Sequence, residues 1–376
     1  MVRPLQVVTT PEEDGNQGCG VVYKLVHRSS GSTLIPLYTF TGGNDGAGGA
    51  YLTFGPNGSL YGTTYYGGGG ACPGPGCGTV FNLRPPVTRP TSVLAPWSET
   101  VLYRFTTGAW FPGAFAFNAG NIYGTTAYGG NGGCAYQDGC GGVYELSNGV
   151  WTYSLLYSFT GTTDGGNPYG GVISDQSGNL YGTATFGGEA PLCFTGCGLV
   201  FQLAQSGSGW AENVLYDFLS NGGSGSAPTS GLVFDHQGNL YGTTQAGNGN
   251  DGIVYELTPS NGGWTYTLVY NLPELGTCQG YTGPESPLVV DGTGNLYGAA
   301  VGGGANCLGY IFKLSPSNGS WTFTDLHDFT DGNDGANPYG SLVLDPSGNL
   351  YGSADFGGGT GCGGGGCGVV WEITPN

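Results

Sequence analysis

Basic residues are scarce in this 376-residue chain, where seven lysines and arginines stand against 25 acidic residues for a net charge of −18. The seven (Arg3, Lys24, Arg28, Arg84, Arg89, Arg104, Lys313) are scattered and form no patch. Nucleic-acid binding rests on clustered Lys and Arg that neutralise phosphates, so this balance argues against it, and against attachment to an anionic membrane surface. Histidine occurs only at His27, His236 and His327. No HExxH, no histidine pair at metal-ligand spacing and no GxSxG elbow is present, which removes the usual signs of a zinc or serine hydrolase. Long apolar runs are missing too. No stretch of 18 apolar residues occurs, and Met1 to Gln6 lack the apolar region of a signal peptide. No helical 3.6-residue apolar period is found.

Glycine, in contrast, is abundant at 80 residues, without the three-residue period of collagen. Aromatics make up 13% of the chain, more than a disordered polymer carries. These rings fall into a repeat. Asn239-Leu240-Tyr241-Gly242-Thr243-Thr244 is one of six near-copies of one phrase, with tyrosines at Tyr61, Tyr123, Tyr181, Tyr241, Tyr297 and Tyr351, spaced by 62, 58, 60, 56 and 54 residues. An apolar run ending in Asp precedes most copies (Asp175, Asp235, Asp291, Asp345), and a Gly-containing turn joins the two. Such an Asp is suited to accept hydrogen bonds from the turn that follows. A third strand follows each phrase, such as Val254-Tyr255-Glu256-Leu257, and then a fourth with Trp, Tyr and Phe: Trp97, Tyr103, Phe105; Trp151, Tyr157, Phe159; Trp210, Tyr216, Phe218. Two further copies change one member each, to Leu272 and His327; a packed structural role is expected for His327. All spacings within the triplet are even, which places the three side chains on one strand face.

Four short antiparallel strands per repeat of about 58 residues predict an all-β fold, a β-propeller of four-stranded blades occupying residues 1–376 as one domain. Five complete blades are flanked by partial ones. Seven blades is the favoured count, and six, with the N-terminal strands completing the last blade, is the alternative. Leu5 to Thr10 sits where a worn copy of the phrase belongs. The tyrosine is expected between blades with its hydroxyl partnered, and the phrase glycine at a close approach or a bulge.

Eleven cysteines include four close pairs in matching slots of their repeats: Cys72/Cys77, Cys134/Cys140, Cys193/Cys197 and Cys362/Cys367. Pairs a blade apart cannot share a zinc ion, so disulfides closing short loops are expected. Cys278 and Cys307 match as a further bridge. Cys19 is left over, for an intermolecular bond or a free thiol. This usage implies an oxidising compartment, and export to the cell surface or beyond.

The acidic residues are mostly one per blade at equivalent turns, which does not make a single catalytic site, so no catalytic residue is assigned. Asp45, Asp164 and Asp334 each stand five residues after the fourth-strand Phe and before a Gly, with Asp331 close to the last. Oxygen ligands on such turns suit Ca²⁺, the one cofactor considered; none is required. Asn57 and Asn318 begin N-x-S sequons, both in turns.

Gly231-Leu232-Val233-Phe234, the Gly-Asn-Leu-Tyr-Gly-Thr-Thr phrase and the later Gly-x-Val-Tyr/Phe-x-Leu strand resemble the bacterial GloVer-type tandem repeat of choice-of-anchor repeat proteins, from about Gly18 onward. The resemblance implies an extracellular or surface-attached propeller and brings no catalytic residues with it. The expected function is a non-enzymatic extracellular structural or interaction propeller, self-assembling into fibres through unmatched terminal strands, with itself or surface glycans as partner. A carbohydrate-binding propeller is the alternative, and a carbohydrate-active enzyme a third reading. A single-ligand site should break the repeat with a cluster of unique polar residues. The deviations visible are Arg84 to Pro96, Ala109-Trp110-Phe111 and Leu272 to Pro284.

Overall fold

The computed structural model describes residues 5–8, 19–28, 31–55, 58–72, 76–86, 97–130, 134, 139–188, 196–207, 209–219, 224–247, 252–273, 278, 283–359, 366 and 368–375. Among them there is no α-helix, and seven antiparallel sheets follow one another along the chain. Five are four-stranded (47–104, 109–158, 172–217, 233–271, 289–328), here sheets 2 to 6; sheet 1 (5–39) and sheet 7 (343–373) have three strands. Sheet 5 shows the plan, with Val233–Phe234, Leu240–Thr244, Ile253–Ser260 and Gly263–Asn271 paired in chain order. The sheets form a ring, a β-propeller, in which Leu5–Val8 of sheet 1 lies against both Ala47–Phe54 of sheet 2 and Leu350–Ala354 of sheet 7.

Leu5–Val8 takes the second-strand position expected of the worn phrase, but two residues out of the expected register: Leu5, and not Val7, opposes Lys24 as Tyr241 opposes Glu256. Sheet 1 thus has second, third and fourth strands, and sheet 7 has first, second and third. Among the described residues Val369–Ile373 pairs only with Leu350–Ala354, so no strand of sheet 1 joins it.

Among the described residues no strand of one sheet pairs with a strand of another, so the ring is held by the seams between sheets. Among the described residues six apolar clusters fill six of the seven seams, from that between sheets 1 and 2 to that between sheets 6 and 7. Leu240 and Tyr255 of sheet 5, both fully buried, share one seam with Val200 and Phe218 of sheet 4. At roughly 1.5–3 kcal/mol for each large apolar side chain removed from water, the seams supply the attraction that strand hydrogen bonds cannot provide between sheets.

The tyrosine phrase builds these seams. Tyr123, Tyr181 and Tyr241 each reach forward to a tryptophan of the next sheet, Trp210 at 6.0 Å, Trp264 at 5.9 Å and Trp321 at 6.2 Å between ring centroids. Their hydroxyls are partnered as expected: Tyr181 donates to Asp175 (3.0 Å) and Tyr241 to Glu256 (2.9 Å). The same Asp175 accepts the backbone N–H groups of Ser177 (2.8 Å) and Asn179 (2.9 Å), which fixes the turn. The phrase glycine leaves room for a third-strand ring, since a Cβ on Gly182 would stand 2.6 Å from Phe201 Cζ.

One expectation fails. The Trp, Tyr and Phe of the fourth strand do not share a face, because each fourth strand carries a β-bulge between the first two. In sheet 4, Val200 opposes Tyr216 while Phe201 opposes Val214, so Leu215 is the extra residue. One inserted residue reverses the alternation downstream. Trp210 therefore faces back into the seam with sheet 3, and Tyr216 and Phe218 face forward into the seam with sheet 5.

The disulfides Cys72–Cys77, Cys134–Cys140 and Cys278–Cys307 are formed, and Cys197 is disulfide-bonded. They point to an oxidising environment. Cys193, Cys362 and Cys367 lie outside the described residues, as does Asn57. Cys19 is a free, half-buried cysteine, and Asn318 is exposed in a turn.

Candidate binding site in the central cavity

The aspartates singled out in the loops after the fourth strands are not brought together. Asp45, Asp164 and Asp334 serve three separate loops, and each ties its loop to the strand before it. Asp164 accepts from the Tyr157 hydroxyl (3.1 Å), the Thr160 N–H (2.9 Å) and the Thr160 hydroxyl. Asp45 does the same with Tyr38 and Thr41, and Asp334 with His327 (3.1 Å) and Thr330. His327 thus stands in for the strand tyrosine in packing and in hydrogen bonding. Burial opposes ionisation of Asp45 and Asp334, but these donors outweigh it and hold both carboxyls below the usual range. Asp331 is exposed at φ 62°. Among the described residues, no group of three or more His, Cys, Asp or Glu is placed to hold a metal ion.

Two of these loops face an acid of the next sheet. Burial, and then the charge of Asp45, push Glu99 up to about 7; burial and Asp164 do the same for Glu212, also to about 7. The two arrangements are equivalent by repeat, so they are features of the seams.

The asymmetric part of the molecule is a cavity of about 320 Å³ walled by sheets 2, 3, 6 and 7 and the segments that enter them. Aromatic rings from Tyr51, Tyr65, Phe111 and Tyr339 and the carboxyl groups of Glu285 and Asp355 line it. None of the described residues lining it is basic. Phe111 stacks on Tyr65 at 4.2 Å, and Tyr51 and Tyr65 are hydrogen-bonded through their hydroxyls. Glu285 accepts hydrogen bonds from the side-chain amide of Gln245 and from Tyr339. Asp355 has no such donor among the described residues. Burial and the neighbouring Glu285 push its carboxyl up to about 7. Burial also raises the phenols, Tyr51 to about 12, and Tyr65 and Tyr339 well above their ordinary range. Tyr339 is nevertheless 47% exposed, as expected of a side chain on the wall of an open hollow.

The backbone is shaped for this. Phe111 has φ 60°, the left-handed region that bulky residues avoid. It occupies the slot before Pro112 that Asn167, before Pro168, and Asn337, before Pro338, fill at φ 54°. Asparagine tolerates that conformation and phenylalanine does not, so the ring is held there by its stacking on Tyr65.

Two slots of the repeat supply most of the cavity's polar chemistry. The residue after the conserved-position proline reads Gly113, Tyr169, Thr229, Glu285 and Tyr339 in successive repeats. The residue after the phrase reads Tyr65, Ala127, Thr185, Gln245, Val301 and Asp355. Sequence reasoning flagged Phe111 and stopped one residue short of Glu285, and it passed over Asp355, Tyr339, Tyr51 and Tyr65. A column-by-column alignment of the repeats would have found four of them, because these two columns vary in charge and size from one repeat to the next.

Comparison with known proteins agrees with the architecture. The profile of the Gloeobacter/Verrucomicrobia repeat matches residues 8–190 and 193–376. Among solved structures, a Lactobacillus plantarum protein is similar with a TM-score of 0.55 and 13% identity, over 94% of this chain and 89% of that one. A fungal alcohol oxidase of the AA5 family, in complex with copper, has a TM-score of 0.57 and 13% identity, over 100% and 76%. A hypothetical selenium-binding protein from Sulfolobus tokodaii has a TM-score of 0.54 and 11% identity, over 93% and 82%. At these identities the likeness is one of fold. Comparison with curated proteins found no match.

Proposed function

The chain belongs to the Gloeobacter/Verrucomicrobia repeat family, and from that premise we propose that it is an exported, non-enzymatic interaction propeller that takes up a small ligand in its central cavity. The observation that carries this reading is the convergence of four repeat-breaking residues, Tyr65, Phe111, Glu285 and Asp355, on one hollow that Tyr339 also lines. A scaffold role alone asks for no such departure, and a concave, largely aromatic site with a few polar groups is the usual form of a small-molecule pocket. The disulfides support the exported location. The test is thermal melting against a panel of neutral sugars, organic anions and organic cations, run on the wild type and on Ser341→Trp, which fills the cavity. At least one class should raise the wild-type melting temperature and leave the filled variant unmoved. A panel without effect on the wild type overturns the reading.

A second reading has a specific observation behind it. Asp355, pushed up to about 7, beside Glu285 is the arrangement of a general acid next to a second carboxylate, and tyrosine faces stack on sugars. This supports a carbohydrate ligand, and hydrolysis of it if both carboxyls reach one glycosidic bond. Release of nitrophenol from a set of aryl glycosides, lost in Asp355→Asn, is the check. Self-association through the edge of Val369–Ile373, or through Cys19, is read out separately by electron microscopy and non-reducing electrophoresis.

A further inference from the structure

The chemistry of the cavity narrows the class of ligand, on the premise that the cavity is the binding site. Two carboxyl groups share one partly enclosed space, and no basic side chain lining it offsets them. The two are satisfied unequally. Glu285 is held by neutral donors, the Gln245 amide and the Tyr339 hydroxyl, while Asp355 has no hydrogen-bond donor among the described residues. The remaining walls set five aromatic residues, Tyr51, Tyr65, Tyr66, Phe111 and Tyr339, among serine, glycine and proline, and Tyr65 and Phe111 stack on each other at 4.2 Å with their planes 13° apart. Aromatic faces carry negative potential and attract cations, most strongly where water is excluded.

From this we infer that the cavity binds an organic ammonium ion, seated against the tyrosine rings with its charge toward Glu285 and Asp355. A cation there relieves the repulsion between the two carboxylates. A neutral sugar leaves that repulsion in place, and an anion adds to it. A hollow of about 320 Å³ suits a ligand of small size, such as a trimethylammonium group with a short tail.

Proton linkage follows from the same geometry. The groups facing Asp355 are Glu285 and Tyr339, and Tyr51 and Tyr65 face Glu285 in turn. The phenols stay neutral across the physiological range because burial raises them. Asp355, pushed up to about 7, is partly protonated near neutrality. An entering cation favours its ionised form, so the ligand displaces a proton and binds more tightly at pH 8 than at pH 6.

The experiment is titration calorimetry of the intact protein with choline chloride, with its uncharged isostere 3,3-dimethyl-1-butanol and with glucose, at pH 6 and pH 8. Choline should bind at least tenfold more tightly than the isostere, and more tightly at pH 8. Asp355→Asn, which keeps the shape of the protonated acid, should weaken choline binding about tenfold at pH 8 and remove the pH dependence. Glu285→Gln and Tyr339→Ala, the latter on an open wall, should weaken it as well and keep the test available if one variant fails to fold. Equal binding of choline and the isostere overturns the inference, as does choline binding that none of the three variants alters. Binding of glucose without choline overturns the inference while leaving the cavity reading standing. If choline does not bind and the sugar, anion and cation panel leaves the melting temperature unmoved, both fail together.

Discussion

Asp355 stands beside Glu285 in the cavity wall, yet only Glu285 is supplied with hydrogen-bond donors, from Gln245 and Tyr339. The folded protein therefore disfavours the ionised form of Asp355. For an acid whose folded pKa is raised, stability is lost as pH climbs from the unfolded value near 4 to the folded value of about 7. Asp355→Asn is expected to melt like the wild type at pH 4 and to be more stable at pH 8. The gain should be on the order of 1–3 kcal/mol, since a unit of pKa corresponds to about 1.4 kcal/mol and solvent in the open hollow screens part of it. Melting curves at the two pH values read this directly, and a variant less stable at pH 8 would contradict the placement of Asp355.

The whole molecule should show the same signature, with a limit on the acid side. Glu99 and Glu212, like Asp355, are raised to about 7 by burial and a neighbouring carboxylate, so stability should rise as pH falls from 8 toward 5. Asp45, Asp175, Asp291 and Asp334 are held low by hydrogen bonds despite burial, Asp291 at about 2. Their contribution is complete above the unfolded carboxylate value and is lost as pH falls from about 4 toward 2. Urea midpoints across pH 2 to 8 should therefore peak at mildly acidic pH. A peak at pH 8 would mean that these three acids ionise freely.

Glycines of the phrase and of the turns should respond differently to a methyl group. In Gly242→Ala the new Cβ meets the Tyr255 hydroxyl and Leu232, and the expected cost is about 1–3 kcal/mol from overpacking. Gly292→Ala lies in a turn with open space around it and no left-handed φ, so it should stay within about 0.5 kcal/mol of the wild type. Chemical denaturation of the pair separates a packing requirement from a general intolerance of alanine.

The disulfides should differ in worth by the length of chain they close. Cys278–Cys307 spans 29 residues and Cys72–Cys77 spans five. Paired Cys→Ser replacement of the first is expected to cost about 3–4 kcal/mol and of the second about 2 kcal/mol, by loop-closure entropy. Equal losses in urea unfolding would point to local strain or packing as the larger contribution.

Much of this architecture can be read from the residues, and the reason is repetition. Six copies of the tyrosine phrase mark six second strands, and the pairing of Leu5–Val8 with Val21–Arg28 shows that even the worn copy was legible as a strand, though not in register. The Cys278–Cys307 bridge was legible for the same reason, as two deviations in neighbouring slots. The bulge at Leu215 was not, since an inserted residue changes which face a side chain takes without changing any spacing along the chain. The cavity was hidden for a different reason. Glu285, Tyr339 and Asp355 come from the entries and strands of the successive sheets 6 and 7, and closure of the ring is what brings Tyr65 of sheet 2 and Phe111 of sheet 3 to them.

The bulge also bears on how such a chain can grow. Because the extra residue at Leu215 sends Trp210 backward and Tyr216 forward, a four-stranded unit such as sheet 4 carries both halves of a joint, one for the unit before it and one for the unit after. Duplication or loss of a whole repeat then leaves each remaining junction with complementary surfaces, as in other nearest-neighbour repeat proteins. Drift in unit number is thereby separated from drift in the two variable columns, so a lineage can alter the size of the circle and the contents of its hollow independently.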